Sequence, residues 1–197
     1  MMNYITTFNA FIQQLNLPGI RVMSSDLSYK LHAPDEALRA GLLVVDPGIE
    51  EFYRQVEYMH TEWLYDIDHN MQNILLLDPE SNIIAGSMAI SSFSEMITKR
   101  DCDLVFNGKN FKVFDRVSSE YVVCFQLNGN MFSDRLFWVD LLRGDPPVAL
   151  NIGLEEYLST GFENYFMYGW QKAAFMEDTI SQKYILHYTK QLFSKKN

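Results

Sequence analysis

The sequence predicts an α+β fold, an antiparallel sheet with helices before and after it. The first observation is a change of hydrophobic period: helical spacing up to about residue 67, period two from residue 102, and helical spacing again from Leu154. The second is composition. At 48% hydrophobic and 21% charged over 197 residues the chain has globular values, which excludes wholesale disorder. Aromatic residues make up 14%, with 14 Phe and 11 Tyr, a bias that suits strands or aromatic helix faces. The length fits one large domain, read as a core over 1–160 and a helical extension over 161–197 packed on the same domain.

Tyr4, Ile5, Phe8, Phe11, Ile12 and Leu15 recur at helical spacing and predict a first helix. It stops at Leu17-Pro18-Gly19, where proline restricts the residue before it and glycine opens a turn. Residues 20–40 are mixed in pattern, with Pro34-Asp35 marking a loop or short helix start, and Leu42–Val45 is a short strand candidate. Asp46-Pro47 is an N-cap followed by proline at the first helical position. A single helix is then expected over 48–67. Ile49, Phe52, Tyr53, Val56, Met59, Trp63, Leu64 and Ile67 form its apolar stripe; Glu50, Glu51, Arg54, Gln55, Thr61 and Glu62 lie mostly on the other side. Ile74–Leu77 and Ile83–Ala85 read as strands around a turn at 78–82, and Ser91–Lys99 as a short helix.

From residue 102 the pattern alternates. Leu104-Val105-Phe106 and Phe111-Lys112-Val113 surround Asn107-Gly108, the strongest short-range hairpin signal. Tyr121, Val123, Phe125 and Leu127 lead to Asn128-Gly129, and Leu136–Leu141 returns after a loop expected to reach Arg135. Trp138 is expected to face one side of this sheet and Phe137 and Val139 the other, so that both faces are apolar and both need cover. Gly144-Asp145-Pro146-Pro147 ends the meander. Helices resume with Leu154, Tyr157, Leu158, Phe162, Tyr165 and Phe166, then with Phe175, Ile180, Tyr184, Ile185, Tyr188 and Leu192. Gln171, Lys172, Glu177, Asp178, Gln182 and Lys183 are expected to face water.

Sixteen Lys+Arg against 25 Asp+Glu leave a net charge of −9, which argues against nucleic acid and anionic membrane as partners. Lys190, Lys195 and Lys196 read as a solvated tail. The start of the sequence has no basic, apolar leader pattern and no apolar run reaches membrane-spanning length, so a cytoplasmic protein is expected. Cys102 and Cys124 do not make a disulfide framework, and Cys124, inside Tyr121–Phe125, reads as a buried thiol.

Motifs that carry chemistry are sparse. Glu57-x-x-His60 has metal-ligand spacing on a helix, but a di-iron site needs two such motifs, and His60 falls on the apolar stripe as a buried core histidine. Asp66-Ile-Asp68-His69 lacks the glycine and terminal glutamate of a calcium loop. Nucleophile elbows, phosphate loops and paired-cysteine zinc spacings do not occur in the sequence. The expectation is of no catalytic residue, no metal and no cofactor.

Leu17-Pro18, the aromatic strand Phe137-Trp138-Val139-Asp140 and the helix start Gly153-Leu154-Glu155-Glu156-Tyr157-Leu158 resemble marks of the SUKH superfamily, chiefly over residues 110–160. The resemblance implies an N-terminal helical part, an antiparallel sheet and a closing helix. It also implies a non-enzymatic bacterial immunity protein that binds and neutralises a toxin, often a nuclease. On that reading the partner is a protein with a basic surface. The acidic residues that cluster in sequence, Glu62, Asp66, Asp68, Asp78 and Glu80, are the candidate partner-binding set. Two other classes stand beside it: an enzyme with a dispersed, metal-dependent site drawing on Glu57, His60, Asp66 and His69, and a scaffold or homodimer using its aromatic C-terminal helices.

Overall fold

The structure, a computed structural model, describes residues 2–28, 43–66 and 83–193 of the chain. Helix α1 (Tyr4–Gln14) starts at Asn3, whose side chain accepts from the Thr6 N–H at 3.0 Å, and it buries Tyr4, Phe8 and Phe11. Gly19, at φ +86°, turns the chain into strand β1 (Ile20–Ser28), which the mixed pattern of this stretch had concealed. Asp46 caps helix α2 (Pro47–Gln55) by accepting from the Gly48 N–H at 2.7 Å. Glu50 and Arg54 pair along it as the spacing predicts.

The single helix expected over 48–67 is not what forms. Helix α2 ends at Gln55, Val56 is extended (φ −126°, ψ 134°), and strand β2 (Tyr58–Asp66) follows. The two readings share their anchors, because Met59 and Trp63 lie four apart and so fall on one side of either a helix or a strand. They part at the residues between. Thr61, expected outside, is fully buried, and Leu64, expected inside, is only half-buried on the opposite face. Aromatic and β-branched residues at Tyr58, Thr61, Trp63 and Tyr65 favour the strand.

Strand β3 (Ile83–Ile90) leads to helix α3 (Phe93–Thr98), started by a reciprocal cap between Ser92 and Glu95. After a turn of 3₁₀-helix at Arg100–Cys102 come β4 (Asp103–Phe106), β5 (Lys109–Arg116), β6 (Tyr121–Asn128), β7 (Met131–Asp140) and the two-residue β8 (Val148–Ala149). All pair antiparallel in one eight-stranded sheet of order β1-β2-β3-β5-β6-β7-β8, with β4 on β5. Three more helices close the chain: α4 (Leu154–Glu163), α5 (Trp170–Phe175) and α6 (Thr179–Phe193). The fold is therefore α+β, as the change of period predicts.

Both hairpins form. Asn107 (φ +49°) and Gly108 (φ +75°) supply the paired positive angles of a type I′ turn. The second turn is tighter than expected. Asn128 pairs with Met131, so the loop is Gly129-Asn130 alone, and the residues up to Arg135 are strand.

Strands β3 and β5 pair only at Ile90 and Asp115 and then diverge. The segment Phe166–Tyr168 runs along the freed edge of β3: the Ser87 N–H donates to the Phe166 carbonyl at 2.9 Å and the Tyr168 N–H to the Ala85 carbonyl at 3.0 Å. Trp63 Nε1 donates to the carbonyl of Tyr165 at 2.8 Å. The C-terminal region is thus part of the sheet as well as its cover.

The main core lies between the sheet and the helices and includes Phe8, Phe11, Phe52, Trp63, Phe114, Trp138, Phe166, Trp170, Ile185 and Tyr188. A smaller cluster, Cys102, Phe111, Val113, Val122, Cys124 and Val139, lies on the other face, with Phe137 packed against it. Trp138 and its two neighbours therefore do face opposite sides. Both cysteines are buried free thiols. Gln171, expected to face water, is instead fully buried. No helix among the described residues is long and apolar enough to cross a membrane.

Candidate functional site

Alternation along β2 decides what faces out. Met59, Thr61 and Trp63 enter the main core, so Tyr58, His60, Glu62 and Leu64 line the opposite face. Their cross-strand partners on β3 are small: Ala89 beside His60, Ser87 beside Glu62, Ala85 beside Leu64. Small neighbours leave the β2 side chains standing clear. Glu62 is exposed, and Tyr58 is 38% exposed. Tyr168, held on the β3 edge by its backbone bond to Ala85, is 43% exposed near Glu62. Partial burial, and then the Glu62 charge, raise its phenol above the ordinary value. The result is a strip in which a carboxylate stands with tyrosines either side.

Of the residues predicted to bind a partner, Glu62 lies at the centre of this strip. Asp66 is the last residue of β2, in register with Ile83. Asp68, Asp78 and Glu80 lie outside the described residues, as do His69, the strand expected at 74–77 and the turn at 78–82.

His60 is half-buried, not buried, because β2 is a strand and turns it away from the core. It lines a cleft of about 210 Å³ with Tyr58, Ala89, Asp101, Cys102 and Arg116. Arg116 donates to the Asp101 carbonyl at 2.8 Å and pairs with its carboxylate at 3.3 Å; Lys99, also at the cleft, is bound to Glu95. Burial pushes the Cys102 thiol up, away from the reactive thiolate. Glu57 accepts from Ser28 Oγ at 3.0 Å, and an extended chain places it roughly 10 Å along from His60, so the helical convergence of Glu-x-x-His is lost. Among the described residues no three His, Cys, Asp or Glu side chains gather as metal ligands would.

The sequence reading missed a buried polar chain. Asp115 has no exposed surface and sits at a bulge in β5, between Val113 and Asp115 in the pairing with β6. Its Oδ1 accepts from the Ala89 N–H at 2.9 Å and its Oδ2 from the Tyr157 hydroxyl at 2.7 Å; Gln171 Nε2 donates to Tyr157 Oη at 3.2 Å. A carboxylate directly after Phe111, Val113 and Phe114 was the available signal. Burial raises its pKa, and that of Tyr157 well above a phenol's ordinary value. The network joins β3, β5, α4 and α5 inside the core, so its work is holding the layers together.

Compared with family models, with curated proteins and with solved structures, the chain matches none.

Proposed function

We propose that the chain is a non-enzymatic binding protein of SUKH type, an immunity protein that works in the bacterial cytoplasm by covering the active surface of a basic, nuclease-type toxin. The observation that carries this reading is the uncovered strip on β2: exposed Glu62 with Tyr58 along the same strand and Tyr168 beside it. Half-exposed tyrosines bring large, stiff contact area at low entropic cost, and binding energy concentrates on such residues. A carboxylate between them selects a cationic partner group and repels an acidic one, while the net charge of −9 speeds encounter with a basic surface. Asp66, at the end of β2, and Asp68, Asp78 and Glu80 after it extend the same acidic set in sequence.

Co-expression with the product of the adjacent gene tests the proposal. The expected result is restored growth of a host that this product otherwise kills, with a stoichiometric complex recovered from the cells. Killing that continues unchanged in the presence of abundant folded chain contradicts it.

A further inference from the structure

Among the described residues strand β1 ends the sheet, and no strand pairs with its outer edge. It is nine residues long; the strand at the opposite end, β8, has two. Long open edges invite pairing, and chains that stay single blunt them with lysine, proline or charge. The middle of this edge instead exposes Val22 (36%) and Met23 (54%).

The bulge in β1 sets its symmetry. Against β2, Arg21 pairs with Leu64, Val22 with Trp63, Ser24 with Glu62, Ser25 with Thr61 and Asp26 with His60, so Met23 is the extra residue. Arg21 and Asp26 are five apart and would point to opposite faces of a regular strand. The bulge brings both to the face that carries His60 and Glu62, with Ser24 midway between them in the ladder. Both are exposed, and no ion pair within the described residues holds either one.

We propose that two copies of the chain join antiparallel along β1, about a two-fold axis at Ser24, into one continuous sheet. In that register Arg21 stands opposite the partner's Asp26, and Asp26 opposite the partner's Arg21. Directly opposed side chains of an antiparallel pair share a face, which these two satisfy only because of the bulge. A slip of one residue would break both pairs and turn each side chain to the wrong face. Self-complementarity about a point inside the edge selects a second copy over an unrelated strand. The dimer stands independently of the toxin partner proposed above.

Sedimentation equilibrium of the full chain should show a dimer. Arg21→Asp and Asp26→Arg each set like charges face to face at both positions, and each should weaken dimerisation about tenfold or more. The combined swap should restore it. Arg21→Cys combined with Asp26→Cys should form disulfides between copies on oxidation, since both side chains are exposed and opposed residues meet the required spacing. Ser28→Cys should not, lying roughly 27 Å from its own copy in this register. Cys102 and Cys124 are buried, which keeps the background low. A monomeric wild type, single charge variants that dimerise as tightly as wild type, a swap that fails to restore dimers, or equal cross-linking of the 21/26 cysteine pair and of position 28 would each overturn the proposal.

Discussion

The Tyr157 hydroxyl donates to the Asp115 carboxylate at 2.7 Å and so ties helix α4 to strand β5 through the main core. This bond lies where the sheet is weakest. Strands β3 and β5 share one register pair, Ile90 with Asp115, and the other Asp115 oxygen accepts the Ala89 N–H at 2.9 Å, so a side chain does the work of a missing ladder. Asp115→Ala leaves the Ala89 N–H and the Tyr157 hydroxyl without this acceptor. At about 1–3 kcal/mol per orphaned group, the loss expected in urea denaturation is about 3 kcal/mol. A loss within the scatter of ordinary surface substitutions would show the network to be incidental.

Asp115 also makes stability depend on pH. Burial raises its pKa, against partial offset by the Tyr157 and Ala89 bonds and the His60 charge. The native state therefore keeps this proton to higher pH than the unfolded chain does. Its contribution is full below the unfolded value of about 3.9 and is lost as pH rises through the native value. Asp115→Asn cannot show that loss. Glu95 and Asp178, lowered by hydrogen bonds from Lys99 and Ser181, act in the opposite sense but cancel when the two proteins are subtracted. Wild-type stability minus Asp115→Asn stability should fall as pH is raised from about 4 towards neutrality. A difference that grows over that range contradicts the assignment.

Gly86 has no room for a side chain. A Cβ there would lie 2.5 Å from Trp63 Nε1 and 2.7 Å from the Phe166 carbonyl, both of which are fixed by hydrogen bonds. Gly86→Ala should cost about 2 kcal/mol, with a matching drop in Tm. An unchanged Tm would mean that the 166–168 segment is not seated on β3.

Deleting residues 170–197 should leave a chain that aggregates or melts far below the full protein. The deletion strips Trp170, Ile185 and Tyr188, each 5% exposed or less, from the main core. A soluble, unaggregated and equally stable truncation would contradict the packing described.

Local chemistry explains which parts were legible in the sequence. Asn107-Gly108 announces its hairpin because few residues tolerate two successive positive φ values, and Asp46-Pro47 announces a helix start for similarly local reasons. Residues 56–66 misled because helix and strand periods agree at Met59 and Trp63. Only the aromatic and β-branched content of Tyr58–Tyr65 distinguished them. Gln171 reads as a surface residue because its partner, Tyr157, is a neighbour only after folding. Asp115 is the same case: its two donors come from β3 and α4, and no spacing in the sequence pairs them. At the strip, Glu62 was legible as an acidic candidate, whereas Tyr58 and Tyr168 join it only through the register of β2 with β3 and the bond from Tyr168 to Ala85.

The most direct measurement is the association of the chain with the product of the adjacent gene, compared between wild type and Glu62→Lys over a range of salt. Glu62 is exposed on β2, so the reversal should change folding stability by no more than about 0.5 kcal/mol. It should weaken binding about tenfold or more, chiefly through slower association that differs least from wild type at high salt. Tight binding that is indifferent to Glu62→Lys at every salt concentration, or no binding by the wild type, would contradict a partner surface centred on this strip.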